Sequence, residues 1–144
     1  MLMDRQNSTL LVVDVQERLL PAIADGEAVL ANGVWLVGVA RRLGVPVVIS
    51  EQYPKGLGRT AGPLLAAAGD ASIVTKTHFS CVSDGCLAGT SAEMRRQVVV
   101  VGLHRRQDDV DVVALRGQRE HVEEDLVGLV IRPQQELPLR AATR

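Results

Sequence analysis

The sequence predicts an open α/β fold, a parallel sheet with helices on both faces. Three observations carry that expectation. Short runs rich in valine and isoleucine recur along the chain, and they are apolar throughout rather than alternating, as strands buried on both faces must be. Segments with apolar residues at helical spacing separate them. Polar residues stand at the carboxyl ends of the runs, where sheets of this class bind ligands.

The predicted strands are TLLVVDV (9–15), VPVVIS (45–50), ASIVTK (71–76) and QVVVVGL (97–103). Between the first two, DGEAVLANGVWLVGVARRLG (25–44) reads as a helix. Asp25 is its cap, Arg41 and Arg42 suit its last turn, and Gly44 sits where a C′ glycine belongs. SDGCLAGTSAEMRRQ (83–97) reads as a weaker helix, capped by Ser83 or Asp84 and diluted by Gly85 and Gly89. EQYPKGLGRTAG (51–62) reads as a glycine- and proline-built loop. Its glycines give neither G-x-G-x-x-G nor a P-loop, so a flexible active-site loop is the better reading than a phosphate cradle.

The chain has 144 residues, 47% of them hydrophobic, and a formal net charge of −1. That is one domain's length with a real core. The near-neutral balance argues against a nucleic-acid partner. No apolar stretch reaches the roughly 18–20 residues that span a bilayer, which argues against a membrane partner. The start, MLMDRQNSTLLVVDVQ, lacks the ordered regions of a signal peptide, so a cytoplasmic location is expected. Cys81 and Cys86 are spaced C-x4-C without a second pair, which supports neither a disulfide framework nor a zinc site. Aromatic residues make up 2% of the chain, so the core must be aliphatic.

Asp14, Glu51, Lys76 and the segment after Gly102 occupy the strand ends. Asp14 closes an apolar run, and a carboxylate there must find a partner or shift its pKa. It reads as a general acid or base, or as an anchor for the following turn shared with Gln16. Lys76 is one of two lysines, with Lys55. It reads as an oxyanion stabiliser or a partner for a nearby carboxylate, or as a snorkelling side chain. His78 and Phe79 follow it towards the same cleft, the histidine more as a wall residue than a base. Cys81 reads as a nucleophile if a base lies beside it, and otherwise, like Cys86, as an apolar filler.

In LLVVDVQERLLP, GVPVVISEQYPKGLG, VTKTHFSC and RRQVVVVGL the chain resembles the isochorismatase-like cysteine hydrolase family, which includes nicotinamidases. EQYPKGLG is similar to its uncharacterised hydrolase branch. The match covers residues 8–103. The resemblance implies a three-layer α/β/α sandwich around a parallel, Rossmann-like sheet, incomplete at the C-terminus. It also implies an Asp, Lys and Cys triad, with Asp14 and Lys76 in the first two positions; Gln16 and Phe79, from their places beside these two, are the residues expected at the substrate. The metal ligands of the nicotinamidases are absent, so neither a metal nor another cofactor is expected. A small-molecule substrate and a homo-oligomer are.

The family cysteine belongs in a segment resembling G-x-E-A-H-V-C-V after the fourth strand. This chain reads GLHRRQDDVD, and an ungapped register puts Asp108 where the thiol should be. From His104 to Arg144, 15 of 41 residues are Asp, Glu or Arg and none is Lys. The expectation is therefore a hydrolase domain over 1–103 and a divergent, poorly packed tail over 104–144, consistent with a change of reading frame. Within that tail DVDVVAL and LVGLVIR read as strands and GQREHVEEDLV as a short helix. The function expected is hydrolysis of a small amide or related substrate by Asp- and Lys-assisted covalent catalysis, impaired by the missing cysteine. The alternative is a catalytically inactive, truncated α/β module that binds small molecules or a sibling subunit. A dinucleotide-binding domain ranks last, because VVDVQERL has no glycine after the first strand.

Overall fold

The structure, a computed structural model, describes residues 3–23 and 25–102 and the backbone of two further strands at 111–116 and 126–130. Its strands are β1 (Ser8–Val13), β2 (Val47–Gln52), β3 (Ser72–Lys76), β4 (Gln97–Gly102), β5 (Asp111–Arg116) and β6 (Leu126–Val130). They lie in one sheet in the order β3-β2-β1-β4-β5-β6. The four strands expected from the apolar runs are parallel, with Leu10 of β1 beside Val47 of β2 and Val99 of β4. β5 joins β4 antiparallel and β6 joins β5 antiparallel. Both strands read from the tail are thus present; the short helix expected over 117–127 lies mostly outside the described residues.

β1 is central and buried along its length, which its unbroken apolar run requires. One face packs Leu10, Val12, Ile49 and Val101 against Val37 and Ala40 of α1 (Gly26–Arg42) and Leu64 and Ala68 of α3 (Gly62–Ala68). The other face packs Leu11 and Val48 under Ala92 and Leu87. Helices therefore cover both faces, more thickly on the α1 side.

α1 ends as the sequence indicates. Gly44 has φ +69, its N–H bonds Arg41 O at 3.0 Å, and Val45 N bonds Ala40 O at 2.9 Å. These are the two bonds of a Schellman motif, and only glycine enters its left-handed position without strain. Its start corrects the expectation: Asp25 is at the cap position, but with φ +56 and no side-chain capping bond.

The expected helix over 83–97 is replaced by two single turns, α4 (Cys81–Asp84) and α5 (Ser91–Met94). Gly85, at φ +75, terminates α4, and Gly89, at φ +74, lies in the turn that leads to α5. The cap is Ser80, whose Oγ accepts from Ser83 N. The Gly-Pro segment is also more ordered than a loop: β2 runs on through Glu51 and Gln52, and Pro54–Leu57 form a helical turn, α2.

Candidate active site

β1 ends where Asp14 turns the chain. Its φ is +57, left-handed backbone that aspartate tolerates better than most side chains. Asp14 N donates to Ser50 O, and Gln16 N closes a tight turn onto Asp14 O at 2.8 Å. The carboxylate stays buried at the carboxyl edge of the sheet, 6% exposed. Its Oδ1 accepts from Ser50 Oγ at 3.0 Å and its Oδ2 from Lys76 Nζ at 2.7 Å.

Lys76 ends β3 and is 2% exposed. A buried ammonium needs acceptors for all three hydrogens. They go to Asp14 Oδ2, to Gln52 Oε1 at 2.8 Å and to Phe79 O at 2.8 Å. The register places Lys76 beside Gln52, and Ser50 lies on the same face of β2 two residues earlier. The exposed Phe79 ring has its centroid 5.7 Å from Nζ, within cation–π range.

Gln16 is fully buried, and its amide is spent on backbone. Nε2 donates to Gln52 O at 3.0 Å and Gly58 O at 2.6 Å, and Oε1 accepts from Gln52 N at 2.8 Å. The side chain thus pins the 51–60 segment to the end of β1. Glu51 faces away from the Asp14–Lys76 pair, and its Oε1 accepts from Thr60 N and Thr60 Oγ1, both at 2.8 Å. Gly102 closes β4 opposite Val13; a Cβ there would lie 2.3 Å from Val13 O, so only glycine permits the close approach.

After β3, Asp84 Oδ2 gathers Thr77 N and His78 N at 2.9 Å and His78 Nδ1 at 3.0 Å. Those backbone donors hold the Asp84 carboxyl well below its usual range. The Cys86 thiol is pushed up to about 11, first by burial and then by the neighbouring Cys81. A groove of about 490 Å³ lined by Arg41, Asp70, Ser72 and Arg95 lies at the opposite, amino ends of the strands.

The structure therefore brings together Asp14, Lys76 and the Phe79 carbonyl, with Gln16 one layer behind. Asp108 lies outside the described residues. The sequence reading passed over Ser50 and Gln52. Their signal was available: two polar residues at spacing i, i+2 at the end of an apolar strand share one face. Chemically, a carboxylate with spare acceptor capacity beside a saturated ammonium is an arrangement for taking a proton next to a fixed positive charge. Among the described residues, no group of three or more His, Cys, Asp or Glu is placed to hold a metal ion. No described helix is long and apolar enough to cross a membrane.

Comparison with known proteins bears on the same stretch. The Isochorismatase domain family matches residues 8–106. Isochorismatase domain-containing protein 1 of Salmo salar is 38% identical over 118 residues, covering 78% of this chain and 41% of that protein. The chain therefore spans less than half the length of that curated relative. The solved structure of MAR1 ribonuclease from Caenorhabditis elegans is 32% identical with a TM-score of 0.63, over 71% of this chain and 53% of that one. The ycaC gene product of Escherichia coli, an octameric hydrolase of unknown specificity, shares the fold at 20% identity and a TM-score of 0.62, over 70% and 52%.

Proposed function

The chain belongs to the isochorismatase domain family, and on that footing we propose that it is a hydrolase of small amides or related substrates, impaired by loss of the family thiol. The observation that carries this reading is the buried Asp14–Lys76 pair, 2.7 Å apart at the carboxyl edge of the sheet. Asp14 is the general base. It has accepted two hydrogen bonds of the roughly four a carboxylate can take, which leaves room for a proton from the nucleophile. Lys76 acts electrostatically, offsetting charge on Asp14 and on the oxyanion that forms at the substrate carbon. Phe79 lines the substrate side of the pair. Gln16 acts through the segment it clamps, as a positioning residue.

In the family chemistry a cysteine attacks the carbonyl carbon, its proton goes to the aspartate and on to the leaving amine, and water cleaves the acyl–sulfur bond. Asp108 holds that cysteine's place in ungapped register, so in this chain attack falls to a water deprotonated by Asp14. We propose further that residues 104–144 are a distinct stretch produced by a change of reading frame. Reading the coding DNA in the other frames tests this: a V-C-V segment followed by a valine-rich strand is expected, and its absence refutes it. A soluble, cytoplasmic homo-oligomer without cofactor completes the reading.

The test is ammonia release from a panel of small primary amides, with RNA as a further substrate because of the ribonuclease among the structural neighbours. Expected are slow amide hydrolysis that falls to the uncatalysed rate in Asp14→Asn, and no RNA cleavage, given 16 basic against 17 acidic residues. Hydrolysis indifferent to Asp14→Asn overturns the reading, as does Asp14-dependent RNA cleavage. No hydrolysis by either protein favours the inactive α/β module instead.

A further inference from the structure

The segment between β3 and α5 carries two thiols that the proposed hydrolysis does not use. Ser80 Oγ caps α4 at its start, and Gly85, in left-handed backbone, ends it with its N–H on Val82 O. That reversal folds the chain back on itself, and Cys86 Sγ comes to 3.6 Å from Cys81 O. Both cysteines are free, Cys81 buried and Cys86 partly exposed. We propose that Cys81 and Cys86 form an oxidisable dithiol, which a hydroperoxide closes to an intrachain disulfide.

The Cys86 sulfur, the more accessible, attacks the terminal peroxide oxygen; the S–O bond forms, the O–O bond breaks, and the alkoxide leaves with a proton as an alcohol. Cys81 sulfur then displaces hydroxide from that sulfenic acid. The S–S bond forms, the S–O bond breaks, and the second thiol proton leaves with the hydroxide as water. Two thiols are oxidised by two electrons and one hydroperoxide is reduced. The raised Cys86 thiol makes the reaction slow at neutral pH and faster in alkali, because the thiolate is the nucleophile. The connection to the hydrolytic site is short: Cys81 lies two residues from Phe79, whose carbonyl holds the Lys76 ammonium.

The experiment treats the full chain with tert-butyl hydroperoxide at mildly alkaline pH and maps the tryptic peptide 77–95, which contains both cysteines. Expected is loss of two hydrogens from that peptide with both thiols blocked, reversed by dithiothreitol. Hydrogen exchange over 79–86 slows in the oxidised chain and recovers on reduction. In Cys86→Ser the two-hydrogen loss is absent; Cys81→Ala, checked for folding by far-UV circular dichroism, loses it too. Stable addition of oxygen to one cysteine while the other stays free overturns the proposal. So does a disulfide found only between chains, or a two-hydrogen loss that survives in either variant. None of these readouts depends on hydrolysis, so this inference and the proposed function fail separately.

Discussion

Lys76 Nζ and Asp14 Oδ2, 62 residues apart in sequence, meet at 2.7 Å inside the protein. Two strands bring them together, with β2 between: Val13 is in register with Ser50, and Gln52 with Lys76. The pair is thus a product of sheet register, and each partner makes burial of the other tolerable.

That interdependence is measurable. Removing one partner leaves an unpaired buried charge, which costs about 3–5 kcal/mol. Lys76→Met and Asp14→Asn are each expected to lose stability of that order in urea unfolding. The double variant should lose less than the sum of the two. Strict additivity would show that the ion pair contributes no coupling.

Gln16 makes a separate prediction. Its amide mimics a neighbouring strand for Gln52, taking that residue's N–H and donating to its C=O. Gln16→Ala strands those groups, a cost of about 1–3 kcal/mol for each buried polar group left unsatisfied. Amide exchange at Gln52 should accelerate in the variant while exchange in β1 is unchanged. Unaltered exchange at Gln52 would remove Gln16 from the role of clamp.

Acid should weaken the fold through Asp84. Its folded carboxyl is held below the ordinary 3.8 by the Thr77 and His78 donors. A depressed folded value contributes stability that is complete above 3.8 and lost as pH falls below it. Asp84→Asn should therefore be less stable than the native chain near neutrality, with the gap narrowing as pH drops below 3.8. Thermal unfolding across that range checks it.

Cys86 acts in the opposite direction. Its folded thiol is raised from 9.0 to about 11, so the unfolded chain releases that proton first. The contribution is whole below pH 9 and disappears as pH climbs towards 11. Its alkylation by iodoacetamide should follow the same titration, with a midpoint near 11 in the native chain and near 9 in urea. Equal midpoints would contradict the partly buried thiol beside Cys81 described above.

Much of this was legible in the chain. Continuous apolar runs marked the four parallel strands; burial explains the runs of β1 and β2, whereas β3, at the sheet edge, is largely exposed up to Lys76. Asp14 and Lys76 stood out as charges ending such runs. What escaped depended on tertiary register or on backbone sign. Gly85 and Gly89 could be weighed as poor helix formers, but their positive φ shows only in the folded backbone. Ser50 and Gln52 look ordinary until β2 is aligned with β1 and β3. Asp25 has the chemistry of a cap, yet its backbone is left-handed and its side chain makes no capping bond.

The central proposal is that Asp14 and Lys76 are the base and the lysine of a site from which the family thiol is absent. Its most direct measurement restores that thiol: Asp108→Cys in a Cys81→Ser, Cys86→Ser background, exposed to acrylamide and weighed intact. A single adduct at Cys-substituted position 108, forming many-fold more slowly when Asp14→Asn is added, is the predicted result. An adduct that forms at the same rate without Asp14, or no adduct in a chain that remains folded, would contradict the account.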